Sequence, residues 1–330
     1  MSEVSKVNTV AIADIETING VASADIETIN TVDFVTGFSN SYSIQIGNNN
    51  AYPPDYSYLK VANPTSYDFI EGADGDGGRT APYGDAPFSI SIWFQQDVFV
   101  ASPFISKAKG SPSAYREWQM SFHGGKYVFF KLLDTAGKYI AIYDTTQDWS
   151  TLSSGWHHLV LKYGAPSGSA DGAGSNRAGG IARRDSMYYY MDGTRYDNGS
   201  TAYPMCYDAG TATYVPCYSG LRTSTAATVN IGGFAPGANQ TFRGRMDEVS
   251  IWTKALTDAD VEALYNSGTP TDLSTHAAAS NLLSWWRMGD NNGGTGTTVT
   301  DVQGVGNASA YEGTTPGWSA TSGFDTDVPP

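Results

Sequence analysis

Short runs in which apolar and polar residues alternate are the feature that most constrains the fold of this chain. Phe88–Phe94 reads FSISIWF, and Tyr139–Tyr143 reads YIAIY. Strict alternation places apolar side chains on one face of an extended strand, and the Gly, Asp and Asn residues between runs favour turns. The pattern therefore predicts an all-β fold, a sandwich of two antiparallel sheets. Similar runs lie at Ser41–Ile46, Glu117–Phe122, Tyr127–Leu133, His157–Tyr163, Met187–Met191 and Thr228–Gly232.

The composition supports a folded β protein and narrows its partners. Hydrophobic residues make up 40% of the 330 residues, enough for a core, whereas charged residues make up only 16%. Glycine (37 residues) and tyrosine (21 residues) are abundant, which suits twisted sheets joined by many turns. The net charge of −14 argues against partners that are bound through phosphate groups, meaning nucleic acids and anionic membrane surfaces.

Neither a membrane span nor a secretory signal is visible in the sequence. No apolar run reaches the roughly 18 residues that a membrane helix needs, and Met1–Val10 lacks a basic region followed by an apolar one. Cys206 and Cys217 flank a segment with the spacing of a hairpin. Both a disulfide and a pair of thiols kept reduced in a cytoplasm fit this spacing.

One helix, one tight hairpin and two insertions are predicted within the sandwich. Thr257–Ser267 has helical spacing, with Thr257 as the N-cap, acidic residues in the first turn and Gly268 as the terminator. Asp192-Gly193 is a strong signal for a two-residue hairpin turn. The Gly/Ser/Ala-rich stretch 165–180 and the cysteine-bearing stretch 201–224 are predicted to project as loops, and a C-terminal extension is predicted from about residue 291.

The first 36 residues repeat instead of alternating. ADIETIN occurs at 13–19 and again at 24–30, and Asn19-Gly20 predicts a turn after a short helical turn in ADIET. Each aliphatic side chain contributes roughly 1.5–3 kcal/mol when fully buried, so a series of them is not expected to stay in water. We predict residues 1–36 to be an assembly arm that packs on another protein surface, followed by a domain at 37–330. The arm residues recur at eleven-residue spacing and are Val7, Val10, Ile15, Ile18, Val21, Ile26, Ile29 and Val32.

The order of the strands resembles a known family. From FSISIWF through WHHLVLKYG and MYYYMDGTRYD to the ending GRMDEVSIWTKALTDADVEALYNSG at 244–268, the chain resembles the laminin-G-like, concanavalin-A-type jelly roll over roughly residues 38–290. The later segment LLSWWRMGDNNGG and the N-terminal INGVA and ADI echoes resemble structural proteins of marine bacteriophage virions, such as those of cyanophages. The resemblance implies two packed sheets and rim loops that bind sugars or proteins, sometimes through calcium, and it does not imply catalysis.

Candidate ligand residues are aromatic side chains in predicted loops. Rings present flat apolar faces to sugars, and the same rings suit protein contacts. Trp93, Trp252, Trp285 and Trp286 lie in predicted strands and are assigned to the core. The candidates for a glycan site are Tyr52, Tyr56, Tyr58, Tyr115, Trp118 and Trp149.

A calcium site and a solvated turn are the two interpretations of GADGDGG at 72–78. Asp74 and Asp76 match the start of a calcium loop, but Gly78 stands at the third ligand position and Arg79 replaces the loop glycine. No other cofactor is indicated.

Catalytic residues are not predicted. Asp247 and Glu248 are adjacent, so the alternation of a strand is expected to send them to opposite faces, whereas glycoside hydrolysis needs two carboxylates across one sugar. The rings of His157 and His158 are expected to face opposite ways for the same reason. No Ser/His/Asp set follows from the spacing.

Three functions remain open on the sequence. The first is a non-enzymatic bacteriophage virion protein (head decoration, spike or fibre), made in the host cytoplasm and located on the virion surface, with copies of itself and other virion proteins as partners. The second is a lectin or adhesin module for host-surface polysaccharide. The third, less favoured, is a polysaccharide hydrolase.

Overall fold

The chain divides into two units, Met1–Ser39 and Asn40–Pro330. The computed structural model describes residues 17–18, 21–22, 38–47, 58–62, 64–69, 85–109, 116–134, 139–165, 184–197, 207–208, 213–214, 218, 220–221, 227–234, 241–311 and 323–330. Within these ranges, no helix combines the length and apolar character needed to cross a membrane.

The described residues include twenty strands and the α-helix α1 (Asp258–Tyr265). They also include five short 3-10 helices, at Pro64–Tyr67, Trp149–Thr151, Asn266–Gly268, Leu273–Thr275 and Ala279–Asn281. In chain order the strands are β1 (Thr17–Ile18), β2 (Val21–Ala22), β3 (Ser43–Ile46), β4 (Tyr58–Val61), β5 (Phe88–Gln96), β6 (Ser102–Ala108), β7 (Arg116–His123), β8 (Tyr127–Leu133), β9 (Tyr139–Tyr143), β10 (His157–Tyr163), β11 (Met187–Met191), β12 (Thr194–Tyr196), β13 (Tyr207–Asp208), β14 (Thr213–Tyr214), β15 (Thr228–Ile231), β16 (Gly244–Trp252), β17 (Leu282–Trp286), β18 (Thr298–Val299), β19 (Ala308–Tyr311) and β20 (Phe324–Asp325).

Two eight-stranded antiparallel sheets form the sandwich of the larger unit. Sheet 1 has the order β12-β11-β10-β5-β16-β3-β20, with β17 paired to β16, and sheet 2 has the order β18-β19-β4-β15-β6-β7-β8-β9. Neighbouring strands are often distant in sequence, as in a jelly roll, so the chain crosses repeatedly between the sheets. The predicted all-β sandwich with one short helix is confirmed.

The core lies between the sheets and follows the alternation of the strands. β5 pairs with β10 on one side and β16 on the other. A register slip of one residue would turn the whole apolar set of β5 to the outer face. Each buried side chain contributes roughly 1.5–3 kcal/mol, so this register is strongly specified. The inward residues of β5, none of which is exposed, are Phe88, Ile90, Ile92 and Phe94.

The turn and cap chemistry of the larger unit agrees with local sequence signals. Asp192 (φ 50°) and Gly193 (φ 74°) form the predicted two-residue turn between β11 and β12, because an Asp-Gly pair tolerates two positive φ angles. The Thr257 hydroxyl accepts from the Asp260 N–H, and the Asp260 carboxylate accepts from the Thr257 N–H, which completes a capping box at the start of α1. Helix α1 ends at Tyr265, two residues earlier than predicted, because Asn266 (φ 43°) already adopts the left-handed conformation as its C-cap.

The C-terminal part of the chain supplies strands to both sheets. β18 and β19 extend sheet 2 through the pairing of β19 with β4, and β20 pairs with β3 in sheet 1. Buried Asp301 holds the turn between β18 and β19, accepting from the backbone N–H groups of Trp285, Val305 and Gly306 at 2.8–3.0 Å. The four tryptophans assigned to the core, Trp93, Trp252, Trp285 and Trp286, are all buried.

In the smaller unit, β1 and β2 pair antiparallel, Thr17 with Ala22 and Ile18 with Val21. This pairing brackets Asn19-Gly20, the predicted turn. The backbone pairing is described for Ile18 and Val21, whereas the arm residues Val7, Val10, Ile15, Ile26, Ile29 and Val32 lie outside the described residues.

The two predicted insertions fall mostly outside the described residues. Within the second, β13 and β14 pair antiparallel, Tyr207 with Tyr214 and Asp208 with Thr213. Cys206 and Cys217 lie beyond the described positions, so the choice between a disulfide and free thiols stays open.

Candidate ligand-binding face

Two residues of the predicted aromatic site lie in strands and are buried. Tyr58 and Trp118 are in β4 and β7, not in loops, and only 3% and 0% of their surface is exposed. The Trp118 indole N–H donates to the Tyr67 carbonyl at 3.4 Å inside the core. An enclosed ring has no face to offer a sugar, so placing these two residues in a binding loop is wrong.

Trp149 takes up a structural position. It lies in a 3-10 turn at Trp149–Thr151, partly buried, with its ring edge-on to Tyr196 at 5.2 Å between centroids. Asp148 caps this turn by accepting from the Ser150 N–H at 3.0 Å. Tyr52, Tyr56, Tyr115, Asp74 and Asp76 lie outside the described residues, and the glycan and calcium predictions made on them remain predictions.

A different set of rings meets on the face of sheet 2 that points away from the core, its outer face. Cross-strand pairing sets His123 opposite Tyr127 and Phe129 opposite Tyr143. The ring centroids of His123 and Phe129 lie 5.0 and 5.8 Å from that of Tyr143, and Tyr127 lies 5.9 Å from it. His123 is exposed and the other three are half-buried. We call these four residues the aromatic strip.

Two cations continue this face beyond the strip. Lys131 is the next outward residue of β8 after Phe129, and its Nζ lies 3.9 Å above the ring of Tyr139. The guanidinium carbon of Arg116 lies 5.4 Å from the ring centroid of Phe234. Such contacts attract a cation to the ring face without neutralising its charge. We call Arg116 and Lys131 the cationic pair.

A β-bulge places Arg116 on the outer face. Lys107 pairs with Trp118, whereas the next residue of β6, Ala108, pairs with Arg116. Glu117 is therefore an extra residue of β7 with no partner in β6. Such a bulge shifts the in–out alternation of side chains on β7 by one residue. Trp118 points into the core, and Arg116 points out beside Lys131 although simple alternation would have sent it inward.

A second lysine next to the bulge, Lys107, is paired with carboxylates. Lys107 is buried against the carboxylates of Glu117 (2.7 Å) and Asp68. Burial lowers the pKa of Lys107, and Glu117 opposes that shift. The carboxylates of Glu117 and Asp68 therefore pair with Lys107 and not with Arg116 or Lys131.

Neither member of the cationic pair forms an ion pair with a carboxylate among the described residues. Burial, and then the charge of Arg116, lower the pKa of Lys131 to about 8. Both effects disfavour the charged ammonium, as expected for a partly desolvated cation that has a like charge and no counter-ion near it.

A row of polar side chains leads across the sheet to this pair. Gln119 lies directly opposite Lys131, and its Oε1 is buried with no hydrogen-bond partner. A buried carbonyl oxygen without a partner costs about 1–3 kcal/mol, so a hydroxyl or amide donor placed there would be stabilised. The row in cross-strand register is Thr298, Ser309, Lys60, Asn230, Ser106, Gln119, Lys131 and Ala141.

A local signal for this face existed in the sequence. In Tyr127–Leu133, YVFFKLL, the inward residues Val128, Phe130 and Leu132 are fully buried. The alternation that predicts this strand therefore already sends Tyr127, Phe129 and Lys131 outward together. Arg116 carried no such signal, because its orientation depends on the bulge.

Contrary to the sequence-based expectation, a Ser/His/Asp arrangement does form in sheet 1. The Ser153 Oγ lies 3.0 Å from His157 Nε2, and His157 Nδ1 lies 2.7 Å from the Asp192 carboxylate. Asp192 also accepts from the His158 N–H at 2.8 Å, so the chain of bonds ties the turn before β10 to the β11–β12 hairpin. A hydrolase also needs N–H donors aimed at a developing oxyanion, and the Gly155 N–H instead donates to the Ser153 hydroxyl at 3.4 Å.

The two neighbouring histidines face opposite ways, as predicted. His157 packs near Phe94 (5.9 Å between centroids), and His158 stacks on Trp93 (4.8 Å) and bonds to the Ser91 hydroxyl at 2.7 Å. Burial lowers the pKa of His158 to about 3, so this ring is neutral at ordinary pH.

The expectation that Asp247 and Glu248 point to opposite faces is wrong, because β16 also carries a bulge. Against β5, Asp247 pairs with Trp93 and Ser250 pairs with Ser91, so one extra residue is present, and Glu248 has a φ of 47°. Their neighbours Met246 and Val249 both lie in the core, which leaves both carboxyls on the outer side.

Although Asp247 and Glu248 belong to the outer face of sheet 1, other parts of the protein cover both carboxyls. Both are buried, and Glu248 accepts from the Trp285 indole and from Arg287 Nε at 3.1 Å. Burial raises the pKa of Glu248 to about 7, while Arg287 opposes the shift, and burial together with Glu248 raises the pKa of Asp247. Among the described residues, no three His, Cys, Asp or Glu side chains are grouped so as to hold a metal ion.

No family model and no curated protein sequence matches the chain. Solved structures with similarity include a candidate carbohydrate-binding protein from Bacteroides ovatus (TM-score 0.48, 15% identity, 88% of this chain and 62% of that one). A heptameric SAP-like pentraxin from Limulus polyphemus is also similar (TM-score 0.36, 13% identity, 68% and 82% of the two chains). The binding domain of Botulinum neurotoxin DC is a third (TM-score 0.35, 15% identity, 68% and 45%). The chain spans less than two thirds of the Bacteroides protein, all three TM-scores lie below 0.5, and no function of this chain follows from them.

Proposed function

We propose that this chain is a non-catalytic carbohydrate-binding β-sandwich, and that its glycan lies on the outer face of sheet 2. The observation that carries the proposal is the aromatic strip, in which three half-buried rings and exposed His123 meet within 6 Å on paired strands. Aromatic rings have electron-rich faces, which attract the weakly positive C–H groups on the flat side of a sugar ring. Lys131, which is half-buried in the polar row beside the strip, supplies a donor for a sugar oxygen.

The position of the strip favours an extended ligand. β9 is the edge strand of sheet 2, so a chain molecule can lie across β8 and β9 and leave at the edge. The strip offers large, rigid contact area with few rotatable bonds, which keeps the entropy cost of binding low. Gln119 and Lys131 form the next outward-facing pair along β7 and β8. In this position Lys131 can fix the orientation of a bound sugar residue.

Affinity electrophoresis of the full chain through gels containing soluble polysaccharides tests this proposal. Retardation is expected in at least one neutral or acidic polymer, and Tyr143→Ala should weaken it about tenfold. Tyr188→Ala, on the outer face of sheet 1, is the matched control and should bind like the unmodified chain. Absence of retardation in every polymer, or an equal loss in both variants, would contradict the proposal.

The non-catalytic part has its own test at Ser153. A fluorophosphonate probe reacts with activated serines, and we expect no labelling of Ser153, because no described donors complete an oxyanion site. Labelling that disappears in His157→Ala would instead identify a hydrolase.

The finer proposal, that the sandwich is displayed on a bacteriophage virion by its N-terminal arm, rests on the eleven-residue repeat. Deleting residues 1–36 should leave a folded sandwich that still binds its ligand but no longer joins the particle. If the truncated protein assembles normally, the arm has another role. An antibody against the sandwich, applied to intact particles, tests the location.

A further inference from the structure

The charge of the candidate face differs in sign from the charge of the molecule. The chain carries 33 acidic and 19 basic residues, so a cation has many chances of meeting a carboxylate. Arg195, Arg245, Lys254 and Arg287 each do so at 3.4 Å or less. On the outer face of sheet 2, Arg116 and Lys131 form no ion pair with a described carboxylate, and each lies near an aromatic ring, Phe234 and Tyr139 respectively.

The environment of the pair suits one bound anion. The lowered pKa of Lys131 arises from burial and from Arg116, and an anion between the two cations would relieve both effects. Charge-assisted hydrogen bonds from Arg and Lys to a carboxylate or sulfate are about twice as strong as neutral ones. Gln119 lies directly opposite Lys131, and its Oε1 is buried without a hydrogen-bond partner among the described residues.

We propose that the glycan is acidic, and that Arg116 and Lys131 bind a carboxylate or sulfate group of one sugar residue while the aromatic strip stacks on the next. This inference rests on the proposed function and names the chemical class of its ligand. One row separates Lys131 from Phe129 on β8, two residues along the strand, which is about 7 Å. A sugar residue in a polymer is somewhat shorter than this separation, and an acidic group projects beyond its ring, so the cationic pair and the strip can hold adjacent residues of one chain.

A polysaccharide fits this face better than a nucleic acid or an acidic protein. Nucleic acids are bound mainly through many contacts to phosphates, whereas the candidate site offers Arg116 and Lys131 beside a set of aromatic rings. The strip contains no carboxylate and no lysine or arginine, and its rings suit the flat apolar sides of sugars.

The experiment uses polygalacturonate and its fully methyl-esterified form, which share a backbone and differ only in the charge of the carboxyl. Dextran sulfate and dextran form the corresponding sulfate pair. Affinity electrophoresis compares the full chain with Lys131→Gln, Arg116→Gln and the double variant. Lys162→Gln is the control, because Lys162 also lies near an aromatic ring (5.5 Å from the centroid of Tyr188) on the outer face of sheet 1.

The expected result is retardation by at least one charged polymer and little by its neutral partner, with a loss of about tenfold in each single variant. Which pair responds distinguishes a carboxylate from a sulfate ligand. Lys162→Gln should bind like the unmodified chain.

Three results would overturn the inference. Equal binding of a charged polymer and its neutral partner, sensitive to Tyr143→Ala but not to the cation variants, would leave carbohydrate binding intact and remove the acidic ligand. Equal losses in Lys131→Gln and Lys162→Gln would show unspecific attraction. Retardation by single-stranded DNA or polyglutamate with the same dependence on Lys131 would point away from sugars.

Discussion

Each sheet carries a lysine, an arginine and aromatic rings on its outer face, and the two groups differ in what surrounds them. On sheet 1, Lys162 and Arg195 lie over Tyr188, at 5.5 and 4.0 Å from its centroid. Arg195 is bound by Asp197 (3.2 Å) and Asp258 (3.4 Å). On sheet 2, Arg116 and Lys131 have rings but no described carboxylate.

Helix α1 accounts for much of this difference. Its capping box fixes Thr257 as the N-cap, so Asp258 is the first helical residue and reaches over sheet 1 to accept from the Tyr190 hydroxyl at 2.6 Å. Tyr265, at the other end of α1, stacks on Trp93 at 6.0 Å. Helix α1 thus supplies sheet 1 with a carboxylate for Arg195, whereas Arg116 and Lys131 of sheet 2 form no ion pair with a described carboxylate.

A carboxylate added to the outer face of sheet 2 should pair with its cations, as Asp197 and Asp258 pair with Arg195 on sheet 1. Ala141 lies directly opposite Lys131, so Ala141→Asp is expected to occupy the ammonium and to repel an acidic glycan. We expect at least a tenfold loss of affinity for the charged polymer, and about a hundredfold if both cations are engaged. The measurement is affinity electrophoresis in polygalacturonate or dextran sulfate. Ala141→Asn has the same size without the charge, and equal binding by the two variants would break the comparison.

The carboxyls buried on sheet 1 should make stability depend on pH. The pKa of Glu248 is raised to about 7 from 4.5, so the folded state keeps a proton that the unfolded chain releases. This contribution to stability is fully present below about pH 4.5 and is lost as the pH rises through about 7, by an amount on the order of 3 kcal/mol. Urea unfolding at pH 5, 6, 7 and 8 measures this slope.

Glu248→Gln should flatten that slope without removing it, because burial also raises the pKa values of Asp247 and Asp290. Glu262→Gln, an exposed change on α1, is the control and should leave the slope unchanged. A steeper slope in Glu248→Gln would contradict the assignment of the buried proton.

The smallest effect is expected at Asp258. Asp258→Asn removes a negative charge from the N-terminus of α1 and weakens the contacts to Tyr190 and Arg195, and we expect a loss of about 0.5–1 kcal/mol in the free energy of unfolding. Salt screens such exposed charges, so the loss should shrink in about 1 M NaCl. Asp197→Asn, which touches Arg195 alone, should cost less. A larger loss in Asp197→Asn would mean that α1 is not what neutralises sheet 1.

Local pattern predicted a large part of this molecule. Tyr127–Leu133, Tyr139–Tyr143, His157–Tyr163 and Met187–Met191 are strands at the predicted bounds. The Asp192-Gly193 turn and the Thr257 cap are also where the sequence places them, because hairpin turns and caps depend on the chemistry of two to four adjacent residues.

The aromatic site was less predictable. Counting rings near turn residues selected Tyr58 and Trp118, which are strand residues enclosed by the protein. Burial depends on what packs over a strand, and the segment around a residue does not contain that information. Four strands have only four residues or fewer and are stabilised by pairing with strands elsewhere in the chain: β4, β18, β19 and β20.

The sequence by itself determined the class of fold, the periodicity of the long strands, the helix start and the net negative charge. Only the tertiary structure decided which way Arg116, Asp247 and Glu248 point, because each depends on a bulge, and a bulge exists only as a mismatch between two paired strands. It also brought Ser153, His157 and Asp192 together from separate turns. The alternation of a strand can be predicted from one segment of sequence, whereas a bulge depends on the neighbouring strand. The candidate site of this protein lies at such a bulge, the one in β7.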